Sequence, residues 1–242
     1  MYKRQTYGTG AFLVINTGDN IRRCDSGLLS TLGWTDERGT PTYCLEGSLF
    51  NAGTVVQWLR DGLGIIDTAD DVNRLARQVS DSGGVMLVPA FTGWGTPHWD
   101  PLTRGMMIGL TRDSSSSHIA RAALEGIALS VATLVELAES AIGAELGELA
   151  VDGGAAASDP LLQAQADCTG LTVRRAANLE STARGVALFA GVQAGVVTDI
   201  DDLVRRRGDG ASLFEPQIDT SHRARWRDRW NDAVTRSLGW HG

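Results

Sequence analysis

The sequence predicts one α/β domain, a mixed sheet with helices on both faces. Three observations predict it. The first fifty residues hold short apolar runs of strand formers separated by glycines. Beyond them helical and strand-like periods alternate to the end of the chain. No internal repeat, Pro/Ser-rich linker or shift in composition divides the 242 residues.

The elements follow in order. Residues 11–16 (AFLVIN), bounded by Gly10 and Gly18, read as a strand; 27–34 and 42–45 follow at hairpin spacing, so the three form an antiparallel meander. From Asn51 the period changes: Val55, Val56, Leu59 and Leu63 make a helical stripe that Gly64 stops. Residues 69–79 suit a second, more polar helix, and 85–88 a buried strand. The stretch 89–104, dense in Gly, Pro, Thr and Trp, is a loop long enough to point to function. Residues 105–110 return to strand.

Ser114–Ser117 then offer N-caps to the longest helix, where Ile119, Ala123, Leu124, Ile127, Val131, Leu134, Val135 and Ala138 line one apolar face. A strand at 149–151 runs into Asp152-Gly153-Gly154-Ala155. A helix opens at Asp159-Pro160, with proline in its tolerated first turn, and continues to about 167. Strand 171–174, a small-residue helix over 181–194, a helix over 199–206 and a terminal helix over 221–238 complete the chain. In the last, Trp226, Trp230 and Val234 face the core. Arg223, Arg225, Arg227 and Arg229 read as a solvated face, and Arg205-Arg206-Arg207 as a helix end.

Composition excludes several classes. With 43% hydrophobic and 21% charged residues the chain has ordinary globular usage, not that of a disordered one. Its 29 glycines exceed the usual share of about 7% but follow no G-X-Y period, so they belong to turns and close packing. A net charge of −7 argues against nucleic acid as a partner, and any phosphate must be held by local N–H groups and helix ends. Cys24, Cys44 and Cys168 are odd in number and form no CxxC, the usage of a reducing, cytoplasmic compartment. No metal-ligand spacing, secretory signal or membrane span is legible.

Two glycine turns carry the chemistry. Thr6-Tyr7-Gly8-Thr9-Gly10 lies between strands, where glycines admit close approach of a ligand; its N–H groups could form an anion nest and Thr9 adds a hydroxyl. An ordinary hairpin turn would look the same. Gly153 and Gly154 sit where a strand ends and a helix follows, the usual ligand crevice of open α/β sheets, with small residues to Ser158 as a floor for a flat base. A tight connection with no ligand is the alternative. Gly53 and Gln57 lie one helical turn apart and can share a cleft, although Gly53 equally suits packing. No Walker A sequence, GxSxG or kinase catalytic loop is present, and spacing nominates no general base.

Together these motifs resemble the C-terminal nucleotide-binding domain of the FGGY carbohydrate kinases over about residues 6–240. A family signature matches across Gly105–Leu110, a seven-residue spacer, His118-Ile119 and Ala122–Glu125. The blocks TYGTGAFLVINTG (6–18), LEGSLFNAGTVVQWLRD (45–61), VPAFTGWGTPHWDPLTRG (88–105) and VDGGAAASDPLLQ (151–163) are those of its glycerol-phosphorylating branch. The resemblance implies an actin-like (ribonuclease H-like) ATPase fold of two lobes, with ATP and Mg²⁺ held mainly by this lobe and glycerol mainly by the other. Thr9, between Gly8 and Gly10, would contact phosphates; Gly53 and Gln57 would line the nucleotide cleft. Gly153 and Gly154 would support the adenine, with Ser158 where the family usually has a base-contacting Asn. Phe12 would pack on the glycerol carbons.

The family's catalytic Asp precedes the TYGTG turn, so no catalytic residue is assigned within this chain. Residues 1–5 (MYKRQ) read as a cloning or assembly scar, and 6–242 as the ATP-binding domain without its substrate domain. The parent is expected to be a cytoplasmic homo-oligomer. A domain of another FGGY polyol or sugar kinase, or a free-standing, non-catalytic nucleotide-binding domain, are the alternatives.

Overall fold

A computed structural model describes residues 3–36, 38–197 and 210–240. Four strands come first: β1 (Lys3–Tyr7), β2 (Ala11–Gly18), β3 (Leu29–Thr35) and β4 (Pro41–Leu49). Helix α1 (Gly53–Gln57) passes directly into a π-helical turn, Trp58–Gly62. Then come α2 (Asp71–Ala76), β5 (Met86–Val88), β6 (Met106–Ile108) and α3 (Ser116–Ile142). β7 (Glu148–Gly153) leads through a 3₁₀ turn (Gly154–Ala157) into α4 (Asp159–Thr169). β8 (Thr172–Arg175), α5 (Ser181–Gln193), β9 (Ser212–Phe214) and α6 (Thr220–Ser237) follow. The helix expected over 199–206, with Arg205-Arg206-Arg207, lies outside the described residues.

Seven strands form the main sheet in the order β3-β4-β2-β1-β7-β8-β9; β5 and β6 pair separately. The sheet is mixed, as expected: β1 runs antiparallel to β2 and parallel to β7, while β7 and β8 are parallel. Core residues alternate along β2, with Ala11, Leu13 and Ile15 buried against α3 and Phe12 exposed on the opposite face. That alternation fixes the register, because a one-residue slip would bring Phe12 inward and Leu13 outward. Ala123, Ile127, Val131 and Leu134 of α3 are fully buried. It is the one described helix long and apolar enough to cross a membrane, and 78% of its apolar window is buried inside the domain. On the sheet's other face α5 meets the sheet where Arg4 reaches Thr182.

Three expectations are corrected. Residues 3–5, set apart in the sequence as a scar, form the start of β1 at the middle of the sheet. Lys3, Arg4 and Gln5 face Ile15, Val14 and Leu13, and Arg4 and Gln5 also face Ala150 and Val151. The strand lacks an apolar period because its two faces find polar partners: Arg4 meets Asp152, and the fully buried Gln5 meets Gln165 of α4. Second, β2 pairs with β1 and β4 and not with β3, so the expected meander is two hairpins laid side by side.

Third, the arginines of α6 are a solvated face only in part: Arg225 is exposed and reaches only Ser221 of its own helix (3.1 Å), while the other three bond to neighbouring elements. Arg223 donates to the Asp167 carbonyl near the end of α4 (2.8 Å), where the negative pole of the helix favours a cation. Arg227 is buried and meets Glu136 of α3 at 2.5 Å, and Arg229 donates to the Gly84 carbonyl at 2.8 Å. Trp230, as expected, is fully buried. The long loop 89–104 is pinned to β4: the Thr96 N–H donates to the Ser48 carbonyl (2.9 Å), and the Ser48 N–H donates to the Thr96 hydroxyl (3.1 Å).

Candidate functional site

The parallel strands β1 and β7 end side by side, Tyr7 opposite Gly153, so the turns beyond them are neighbours. Ligands of open α/β sheets bind at such carboxyl ends. One row of facing residues crosses four strands beneath this point: Ser48, Phe12, Thr6 and Asp152. Asp152 is 1% exposed. One of its oxygens accepts from the Thr6 hydroxyl at 2.7 Å and the other from the Arg4 guanidinium. Arg4 also donates to Thr182 at the start of α5 (3.1 Å). A buried carboxylate needs such partners, and the pair holds β1, β7 and α5 together. Asp152 and Arg4 were passed over in the sequence; the signal was a charged residue closing an apolar strand.

The turn Gly8-Thr9-Gly10 docks on the start of α1. The Thr9 carbonyl accepts from the Ala52 N–H (2.9 Å), the Thr54 N–H (3.3 Å) and the Thr54 hydroxyl (3.2 Å), and the Gly8 carbonyl accepts from the Gly53 N–H (3.0 Å). Gly8 and Thr9 thus contact the start of α1 at Ala52, Gly53 and Thr54, and Gln57 lies one helical turn beyond Gly53. The first N–H groups of α1 are spent on the turn and are not offered to an anion. None of Gly8, Thr9 and Gly10 has positive φ, so the alternating-hand nest does not form. Among the described residues, the Thr9 hydroxyl and the Thr9 and Gly10 N–H groups have no hydrogen-bond partner. These are the donors that remain for a phosphate. Behind the turn, the Tyr7 hydroxyl donates to Gln165 at 2.7 Å, and complete burial pushes its phenol pKa up, keeping it a neutral donor.

The glycines divide sharply when a Cβ is placed on each. At Gly10 it would lie 2.2 Å from the Leu49 carbonyl oxygen, and at Gly53 2.6 Å from the Gly8 carbonyl oxygen. At Gly153, with φ +86°, it would lie 2.1 Å from the Tyr7 carbonyl oxygen. The fold alone demands glycine at these three positions, so packing accounts for Gly53. At Gly8 nothing is nearer than 3.9 Å, and at Gly154 nothing lies within 4 Å. Protein contacts leave Gly8 and Gly154 unexplained, and both are exposed at the mouth of the crevice.

Ser158 departs from its implied role. It is the N-cap of α4, accepting the Leu161 N–H (3.2 Å), and it donates its one proton to Asn73 of α2 at 2.5 Å. At 7% exposure its hydroxyl is committed to the scaffold and not to a base. Asn73, unmarked in the sequence, carries that link. Gln57 is exposed at the end of α1, and Phe12, 43% exposed, stands next to Thr6 on the crevice face. No group of three His, Cys, Asp or Glu among the described residues suits a metal ion.

Residues 5–194 match the model of the FGGY family of carbohydrate kinases, C-terminal domain. Curated relatives include a glycerol kinase of Pseudothermotoga lettingae, 46% identical over 98% of this chain and 47% of its own length. One from Aromatoleum aromaticum is 48% identical over the same shares. Among solved structures, Plasmodium falciparum glycerol kinase with ADP superposes with a TM-score of 0.88 at 32% identity, covering 98% of this chain and 47% of that one. A ligand-bound xylulose kinase from Lactobacillus acidophilus, 20% identical with a TM-score of 0.78 over 99% of this chain and 49% of that one, shares the fold. The chain spans about half the length of the relatives it matches. It belongs to the FGGY family of carbohydrate kinases, as a C-terminal domain with the actin-like ATPase fold.

Proposed function

We propose that this domain is the nucleotide-binding half of an enzyme that transfers the γ-phosphoryl group of MgATP to glycerol. The observation that carries the reading is the pair of unexplained glycines, Gly8 and Gly154. They open onto one crevice beside the unpartnered donors of Thr9. The relatives named glycerol kinase, and the ADP in the Plasmodium structure, support the same ligand here. In this reading the Thr9 hydroxyl and the amides of Thr9 and Gly10 hold phosphate oxygens, and Gly154 lets the base lie against the turn. Gln57 borders the nucleotide and Phe12 supplies an apolar wall to the glycerol carbons.

The described residues fit the nucleotide better than they fit a metal. Both oxygens of Asp152 are engaged, so no carboxylate in this part of the crevice is free to take a proton or a cation. Mg²⁺ would ride on the phosphates, with its protein carboxylate and the general base coming from the substrate lobe. The 242 residues alone should therefore yield no glycerol-dependent ADP.

Calorimetric titration of the chain with ADP tests the site. Binding is expected, and Gly154→Trp should abolish it while leaving the fold intact. Equal titration of both proteins would place the nucleotide elsewhere.

A further inference from the structure

We propose that Tyr7 and Gln165 are positioning residues, which set the spacing between the phosphate turn and the base floor so that one nucleotide reaches both. The role presupposes that the crevice holds a nucleotide. Tyr7 ends β1, immediately before Gly8-Thr9-Gly10. Its hydroxyl donates to Oε1 of Gln165 at 2.7 Å, and the Gln165 side-chain amide donates to Oε1 of Gln5. All three side chains are fully buried. Packing alone does not ask for this trio. Phe and Leu would fill the space without desolvating polar groups, and Nε2 of Gln5 finds no partner among the described residues. A buried polar network kept in spite of that cost fixes one arrangement of the elements it joins.

The elements joined are those that carry the two subsites. Gln165 lies two turns beyond Ser158 along α4, about 10 Å away and on the same face. Ser158 caps α4 and ties the 3₁₀ floor to Asn73. Helix α4 is thus a strut, with the base floor at one end and its grip on β1 further along. The ladder between β1 and β7 fixes the height of the strand ends, with Tyr7 opposite Gly153. How far the floor leans toward the phosphate turn depends on the seating of α4, because the floor hangs between β7 and that helix. The Tyr7–Gln165 bond supplies the seating from the strand that leads into Thr9. A ligand with both a base and phosphates gains from correct spacing, since its second group then binds as an intramolecular event. A ligand with the base alone does not.

Titration of the purified chain with ADP, by calorimetry, and with adenosine, by ligand-observed NMR, tests the role. In Tyr7→Phe the dissociation constant for ADP should rise about 5- to 20-fold, while that for adenosine moves less than about twofold. A triple variant, Gln5→Leu with Tyr7→Phe and Gln165→Leu, removes the whole network and leaves no polar member orphaned. It should melt no lower than Tyr7→Phe and still bind ADP as weakly. Should Tyr7→Phe fail to fold, the triple variant decides by the same two constants. Wild-type ADP affinity in either variant, or an equal weakening of ADP and adenosine, would overturn the positioning role and leave the nucleotide site standing. A wild type that binds no ADP would overturn both.

Discussion

The two turns at the head of the crevice share a composition but not a construction. Each has one glycine locked by backbone and one left open: Gly10 and Gly8 in the first, Gly153 and Gly154 in the second. The first turn is clamped from outside, by hydrogen bonds from the start of α1 to the carbonyls of Gly8 and Thr9. The second is held by the positive φ of Gly153, by its N–H donation to the Leu179 carbonyl (2.9 Å) ahead of α5, and by Ser158, which ties its floor to Asn73 of α2. The phosphate side is therefore set by the start of α1, and the base side by the conformation of Gly153 together with contacts to Leu179 and α2. Damage to each should read out differently.

The largest effect is expected at Gly153, where the second turn presses on the end of β1. Gly153→Ala combines a disfavoured φ with a 2.1 Å backbone clash and should cost about 3–5 kcal/mol of stability. Thermal unfolding would show a fall of many degrees or an insoluble protein; a change under about 1 kcal/mol would mean the two strand ends can part. Gly154→Trp, one residue on, should leave the melting temperature almost unchanged yet weaken ADP binding at least about a hundredfold. That adjacent pair separates scaffold from site most cleanly.

Smaller effects sharpen the contrast. Thr9→Ala removes a donor that no described residue uses and should weaken ADP binding about 5- to 30-fold at constant stability. Ser158→Ala should do the reverse, losing about 1–2 kcal/mol of stability with the cap and the Asn73 bond while ADP affinity moves less than about threefold. A large affinity loss with unchanged stability would return Ser158 to the base. Gly8→Ala should be the mildest, within about 0.5 kcal/mol in stability, since a methyl meets nothing nearer than 3.9 Å.

Much of this was legible in the sequence. Helical spacing placed α3 and its buried face, and the end of an apolar strand before Gly153 placed the crevice. What escaped notice has a common cause. β1 is invisible to a search for apolar alternation because Arg4 and Gln5 are neutralised by partners almost 150 and 160 residues away. The same distance hid Asp152, and it hid the roles of Arg223, Arg227 and Arg229 in α6, which satisfy carbonyls and a carboxylate on other elements. Local pattern also could not tell which glycines are required by packing. Gly53 and Gly154 look alike in sequence, and only the position of the Gly8 carbonyl distinguishes them.

The central place of β1 also governs the order in which the domain can be made. Its hairpin with β2 is local and can close early, but its parallel partner β7 emerges from the ribosome only after about 140 further residues. Until then the growing chain carries a bare strand edge and an arginine whose counter-ion does not yet exist. Synthesis halted before Glu148 would leave that edge open to pairing with other chains. The crevice, with one wall from β1 and the other from β7, thus cannot form until both strands have been made.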